Sequence, residues 1–161
     1  MAKGTKPIIT ICASCAFYRT VNDVQDTLTG MGFTVLVPKL ATEMKQNNDY
    51  EVDHYKTWFA DPNDLPKKAA LMHGHFNEVA KANAILVVNE EKKGRQNYIG
   101  GNVLMEMALA FHEDKPIFVL NELPDDTPYD EELRGMMPTL LHGDVTKLPD
   151  AWKSLAKNHK A

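Results

Sequence analysis

The sequence predicts an α/β protein, a mostly parallel five-stranded sheet covered by helices on both faces. Three observations carry that expectation. Short apolar runs rich in β-branched residues recur along the chain, segments of helical spacing separate them, and the strongest run is apolar throughout. Continuous apolarity marks a strand buried on both faces. Strands that alternate with helices require right-handed crossovers, so neighbouring strands run parallel. The 161 residues suit one domain, spanning 1–161, that is large enough to bury a substantial core.

"KPIITICAS" supplies the first strand and "GFTVLVPKL" the second. Between them Val21, Val24, Leu28 and Met31 share one helical face, and the pattern stops at Gly32. Residues 41–66 form a polar, irregular insertion with Asn-Asn, Asp-Pro and Asn-Asp turn signals and no sustained period. Insertions of that length are commonly functional, here as a lid or a subunit contact. From Leu65 or Pro66 to Ala82 the spacing predicts a helix that turns Leu71, Phe76 and Val79 toward the core, weakened at Gly74 by about 1 kcal/mol relative to alanine. "NAILVVNE" is the third strand. The charged turn "EKKGRQNYIGG" leads into the helix "NVLMEMALAF", and "KPIFVL" is the fourth strand. Glu131 to Met137 reads as a short helix, "PTLLHG" as a fifth strand, and "LPDAWKSLAKNHK" as a closing helix. The whole is a flavodoxin-like three-layer sandwich of strand order 2-1-3-4-5.

Composition narrows the partners. Hydrophobic residues make up 43% and charged residues 25%, with a formal net charge of -4. That balance offers no basic face to a nucleic-acid polymer or an anionic membrane, and it leaves a mononucleotide open. The apolar run after the first lysines is too short for a signal peptide or a spanning helix, so the expected location is cytoplasmic. Cys12 and Cys15 form a C-x-x-C that reads as a redox motif, as half a zinc site completed by residues such as His73 and His75, or as core thiols; the last reading suits the end of a strand.

In an open parallel sheet ligands bind beyond the carboxyl ends of the strands, where the strand order reverses. Three segments converge there: Ala13–Ala16, Asn89–Gly101 and Leu120–Glu122. Gly100-Gly101-Asn102 opens a helix whose free N–H groups can hold an anion, with Asn102 as its expected N-cap. The pair lacks both the Walker pattern and G-x-G-x-x-G, so neither a triphosphate nor a dinucleotide is indicated. Glu106 is the one carboxylate between Asn102 and Phe111, at the edge of a stripe centred on Val103, Met107 and Ala110 in a helix apolar nearly all round. Burying it costs several kcal/mol unless partners compensate. It is therefore either functional, or paired with an arginine such as Arg95 or Arg134, or set in a subunit interface.

"CAS" after the first strand, "ANAILVV", "GGNVLMEMALA" and "KPIFVL" together resemble the nucleoside 2-deoxyribosyltransferase family and its relatives that hydrolyse deoxynucleoside 5'-monophosphates. The resemblance spans Ile8 to Leu120 and is most specific around Glu106. It implies that Glu106 is a nucleophile attacking the anomeric carbon of a deoxyribose, through an oxocarbenium-like transition state and a covalent intermediate. With it goes an expected substrate-binding set of Ser14, Asn89, Tyr98, Gly100, Gly101, Asn102 and Asn121 around the crevice, with neither cofactor nor metal, and the resemblance implies a homodimer or larger homo-oligomer. Where the family carries an aspartate on the helix before the third strand this chain has His75, and where it has Ala-Asp this chain has Ala82-Asn83. His75 is accordingly a second candidate catalytic residue, its charge tunable near neutral pH. The expected function is an N-glycosidase or deoxyribosyltransferase acting on a nucleoside or nucleotide; the alternative is a non-catalytic nucleotide-sensing module with the same crevice.

Overall fold

A computed structural model describes residues 4–158. Strands β1 (Ile8–Ala13), β2 (Thr34–Leu36), β3 (Ala84–Val88), β4 (Ile117–Val119) and β5 (Thr139–Leu140) form one sheet of order β2-β1-β3-β4-β5, every pair parallel. This is the flavodoxin-like three-layer sandwich expected. The order reverses between β1 and β3, whose register sets Cys12 opposite Val87 and Ala13 opposite Val88.

Successive side chains on a strand point to opposite faces, and this alternation builds two cores. Ile9, Ile11, Leu86, Val88 and Phe118 face α1 (Tyr18–Gly30), α2 (Lys39–Asn47) and α6 (Leu148–Asn158). Cys12, Ile85, Val87, Ile117 and Val119 face α3 (Leu65–Lys81), α4 (Gly101–His112) and α5 (Asp130–Gly135). Among the described residues no helix is long and apolar enough to cross a membrane.

Val21, Val24 and Leu28 are buried on α1 as their spacing requires, and Gly32 ends the turn at a φ of +98°, which side chains rarely tolerate. Met31 lies past the helix and is exposed. The stretch 41–66 is more regular than its composition suggests. It begins inside α2, which buries Ala41 and Met44, and continues through 3-10 turns at Val52–His54, Thr57–Phe59 and Pro62–Asp64. Two buried apolar positions are too few to announce a helix by period, and packing against α1 supplies the rest.

On α3 the buried positions are His75 and Val79, whereas Leu71 and Phe76 are half-buried. A histidine thus occupies the core stripe assigned to Phe76. On α4 Val103, Met107 and Ala110 are buried with Glu106, but Met105 and Phe111 are exposed, so this helix is not buried all round. The closing helix α6 packs Trp152 against Phe33 and Phe118; the part of its predicted span at 159–160 lies outside the described residues.

Candidate active site

The carboxyl ends of β1 and β3 open into a cavity of about 220 Å³. Its floor is Ala13, Ser14 and Cys15 at the end of β1, and one wall is the start of α4 at Gly100, Gly101 and Asn102, with Glu106 one turn deeper. α3 supplies the facing wall through Lys68, Leu71, Met72 and His75, the i, i+3, i+4, i+7 set of a single helical face. Residues from the former insertion, Lys56 and Trp58, close the side. Past Leu40, Trp58, Leu71 and His75 the cavity adjoins a groove of about 890 Å³ between α2 and α3.

Glu106 is 5% exposed and His75 is 8% exposed, so both lie in the interior at the cavity's base. The His75 Nε2 and Glu106 Oε2 atoms are 3.8 Å apart, too long for a hydrogen bond, and neither has a hydrogen-bond partner among the described residues. The other ring nitrogen, Nδ1, meets the Glu78 carboxylate at 2.8 Å one turn along α3. Glu78 therefore fixes the ring and leaves Nε2 directed at Glu106. Cys12 completes the cluster from the sheet: its Sγ, a nitrogen of His75 and an oxygen of Glu106 all lie within 4.8 Å of one another.

Burial raises the Glu106 carboxyl above its usual range, an effect opposed by His75, Cys12 and Lys68. For His75 burial pulls the other way, yet Glu78 and Glu106 outweigh it and the imidazole is raised. The pair therefore holds its protons more tightly than free side chains do. Burial pushes the Cys12 thiol well up and raises Cys15, and both cysteines are free. A redox pair needs a depressed thiol, so the redox reading of C-x-x-C finds no activating environment.

The chain matches no protein-family model and no curated protein.

Lysines set the electrostatics above this base. Lys56, Lys68 and Lys92 all line the cavity, and none has a carboxylate within ion-pair distance among the described residues. Lys92 Nζ donates to Ser14 Oγ at 2.9 Å and lies 4.7 Å from the centre of the Tyr98 ring. Lys68 lies 5.7 Å from the Trp58 ring. Burial lowers Lys68 and Lys92, and the Lys56 charge lowers both further, a sign that the ammonium groups repel one another across the opening. The amino end of α4 adds its unpaired N–H groups to the same field.

The structure gathers Ser14, Tyr98, Gly100, Gly101, Asn102, His75 and Glu106 around the cavity, as the sequence suggested. Asn89 and Asn121 it does not bring there. Asn89 is fully buried, donating to the carbonyls of Asn97 and Glu122 and accepting from Asn121 N–H, while Asn121 Nδ2 donates back to the Asn89 carbonyl. The two form a clasp between the loops after β3 and β4, and through Asn97 it steadies the Tyr98 turn. Asn102 is not the N-cap: extended Gly100 holds that position with no side-chain cap, and Asn102 is the second helical residue. Neither arginine neutralises Glu106, since Arg134 pairs with Asp130 and Arg95 is exposed on the Lys92–Arg95 turn.

Gly100 leaves room for the Tyr98 ring. A Cβ there would meet Tyr98 Oη at 3.0 Å and a ring carbon at 3.1 Å, so a side chain would shift the tyrosine ring by a few tenths of an ångström at the cavity wall. The residues that the sequence did not single out are Lys56, Lys68, Lys92, Trp58 and Glu78, and Cys12, read there with Cys15, instead faces His75 and Glu106. Lys68 had a signal, since it stands two turns before His75 on one helical face.

Proposed function

We propose that the protein is an N-glycosidase or 2-deoxyribosyltransferase acting on a nucleotide, with Glu106 as nucleophile. The observation that carries this reading is a nearly buried carboxylate with an unpartnered oxygen at the base of a cavity whose opening is lined by unpaired lysines. A carboxylate left short of partners in the interior is costly to hold, and such groups cluster at functional sites. The lysines and the α4 amino end suit a phosphate, Tyr18, Leu40 and Trp58 suit the faces of a base, and Glu106 is left for the sugar between them.

In this reading a Glu106 oxygen attacks the anomeric carbon as the bond to the base nitrogen breaks, and that electron pair leaves with the base. Protonated His75, steadied by Glu78, keeps Glu106 ionised beforehand and supplies the proton taken up by the departing base. Water, or a second base, then attacks the glycosyl ester, and neutral His75 accepts the proton released. Glu106 returns as a carboxylate, and the cycle is closed.

The test is a panel of ribo- and deoxyribonucleosides with their 5'-monophosphates, each incubated with the protein and assayed for free base. Release from one or more monophosphates, exceeding release from the matching nucleoside, is the expected result. A panel in which no member loses its base, while a monophosphate still raises the melting temperature, would replace this reading with that of a nucleotide-binding module.

A further inference from the structure

The Cys12–His75–Glu106 cluster has the composition of a metal site. Its three candidate donor atoms come from β1, α3 and α4, lie within 4.8 Å of one another and are all buried. Two of them, His75 Nε2 and Glu106 Oε2, have no hydrogen-bond partner among the described residues, so no hydrogen bond has to be broken before either ligates a metal. The Nδ1 of His75 is held by Glu78 at 2.8 Å, which is the carboxylate–histidine arrangement that orients an imidazole toward a metal through its other nitrogen. Tetrahedral zinc with ligand bonds of about 2.1 Å holds neighbouring nitrogen and oxygen ligands about 3.4 Å apart. The observed His75–Glu106 separation of 3.8 Å needs to contract by only a few tenths of an ångström.

We propose that Cys12, His75 and Glu106 bind a thiophilic divalent cation of the zinc class, and that the bound ion silences the pocket by engaging Glu106. Thiolate, imidazole and carboxylate together select such an ion over magnesium or calcium, which prefer oxygen alone. Binding displaces the Cys12 thiol proton and the Nε2 proton of His75 to solvent and leaves the fourth position facing the cavity, where water completes the shell. The site differs from the one that C-x-x-C spacing suggests: Cys15 belongs to the opposite core and His73 is exposed. The silencing rests on Glu106 being the nucleophile, whereas the binding does not.

Metal-free protein is titrated with zinc against a chromophoric chelator, and cobalt is used in parallel to report sulfur ligation by its charge-transfer absorption. One equivalent should bind with a cobalt–thiolate band, Cys12→Ala should abolish both, and Cys15→Ala should leave both intact. Glu78→Gln, which touches no metal, should weaken binding by about 10–100-fold. Thermal unfolding of each variant confirms that it is folded. Absence of stoichiometric binding by the wild-type protein, or full binding by folded Cys12→Ala, would overturn the site. Zinc at one equivalent should stop base release and a chelator should restore it; unchanged release with zinc bound would overturn the silencing. One equivalent bound to a protein that releases no base even when metal-free would uphold the metal site and sink the nucleophile reading instead.

Discussion

The two faces of the sheet obey the same alternation and are finished differently. Toward α1 and α6 the strands present Ile9, Ile11, Leu86 and Phe118 to a core that includes Val21, Leu28 and Trp152, and Asn22, a neutral polar residue buried there, sends its amide nitrogen to the Ala41 carbonyl and the Tyr50 hydroxyl while its Oδ1 has no partner among the described residues. Toward α3 and α4 the same strands present Cys12, and the helices answer with His75 and Glu106, two of whose buried atoms have no partner. One face is closed by packing, and the other gives up packing at the carboxyl end of β1. The contrast is that the second face gathers a histidine, a carboxylate and a thiol at one point, and the proposed chemistry accounts for the cost of holding them there.

Truncation on the packed face should have the largest effect on stability. Phe118→Ala removes a fully buried ring and should cost about 3–5 kcal/mol, read as a lowered denaturation midpoint. A loss under about 1 kcal/mol would break the comparison. The lysines come next: Lys68→Ala or Lys92→Ala should raise KM for a monophosphate about 10-fold or more and leave the nucleoside unaffected, because a charged hydrogen bond contributes about 1.5–3 kcal/mol. Equal effects on both substrates would move the phosphate elsewhere.

Smaller shifts sharpen the other face. Glu106→Gln keeps the shape and removes a buried charge, so the melting temperature should rise by a few degrees, at about 2–4 °C per kcal/mol for a chain of this size. A fall would mean that the carboxylate serves the fold. The pH dependence follows from His75, whose folded value is raised: its stabilising contribution is present below the ordinary histidine value of about 6.5 and is lost as pH rises through the higher folded value. Glu106, also raised, acts with the same sign from about pH 4.3 upward. Melting temperature should therefore decline across neutral pH, and His75→Gln should flatten that decline; an unchanged slope would show that His75 does not titrate there. Gly100→Ala should have the least effect on stability, and the displaced Tyr98 should show in a raised KM.

The strands and their order were legible because β-branched apolar runs punctuated by helical spacing leave few arrangements. Glu106 was legible for the converse reason, a carboxylate where packing alone would place a hydrocarbon. The lysine cluster was not, because Lys56, Lys68 and Lys92 come from three separate segments and meet only when α3 and the 3-10 turns fold over β1. Cys12 and Glu106 are likewise far apart in the chain, and their approach depends on which face the β1 register turns inward. Asn89 and Asn121 look like ligand contacts from their place at strand ends, yet the buried backbone of two loops needs their amides first. The helix α2 was hidden by its own polarity, since only Ala41 and Met44 mark its buried side.

The proposed reaction stands or falls on Glu106 as the nucleophile. The most direct measurement compares the initial rate of free-base release from a deoxynucleoside monophosphate by the wild-type protein and by folded Glu106→Gln. Loss of the nucleophile should lower the rate by at least about a thousandfold, the scale of a removed catalytic group. Release by Glu106→Gln at the wild-type rate would contradict it.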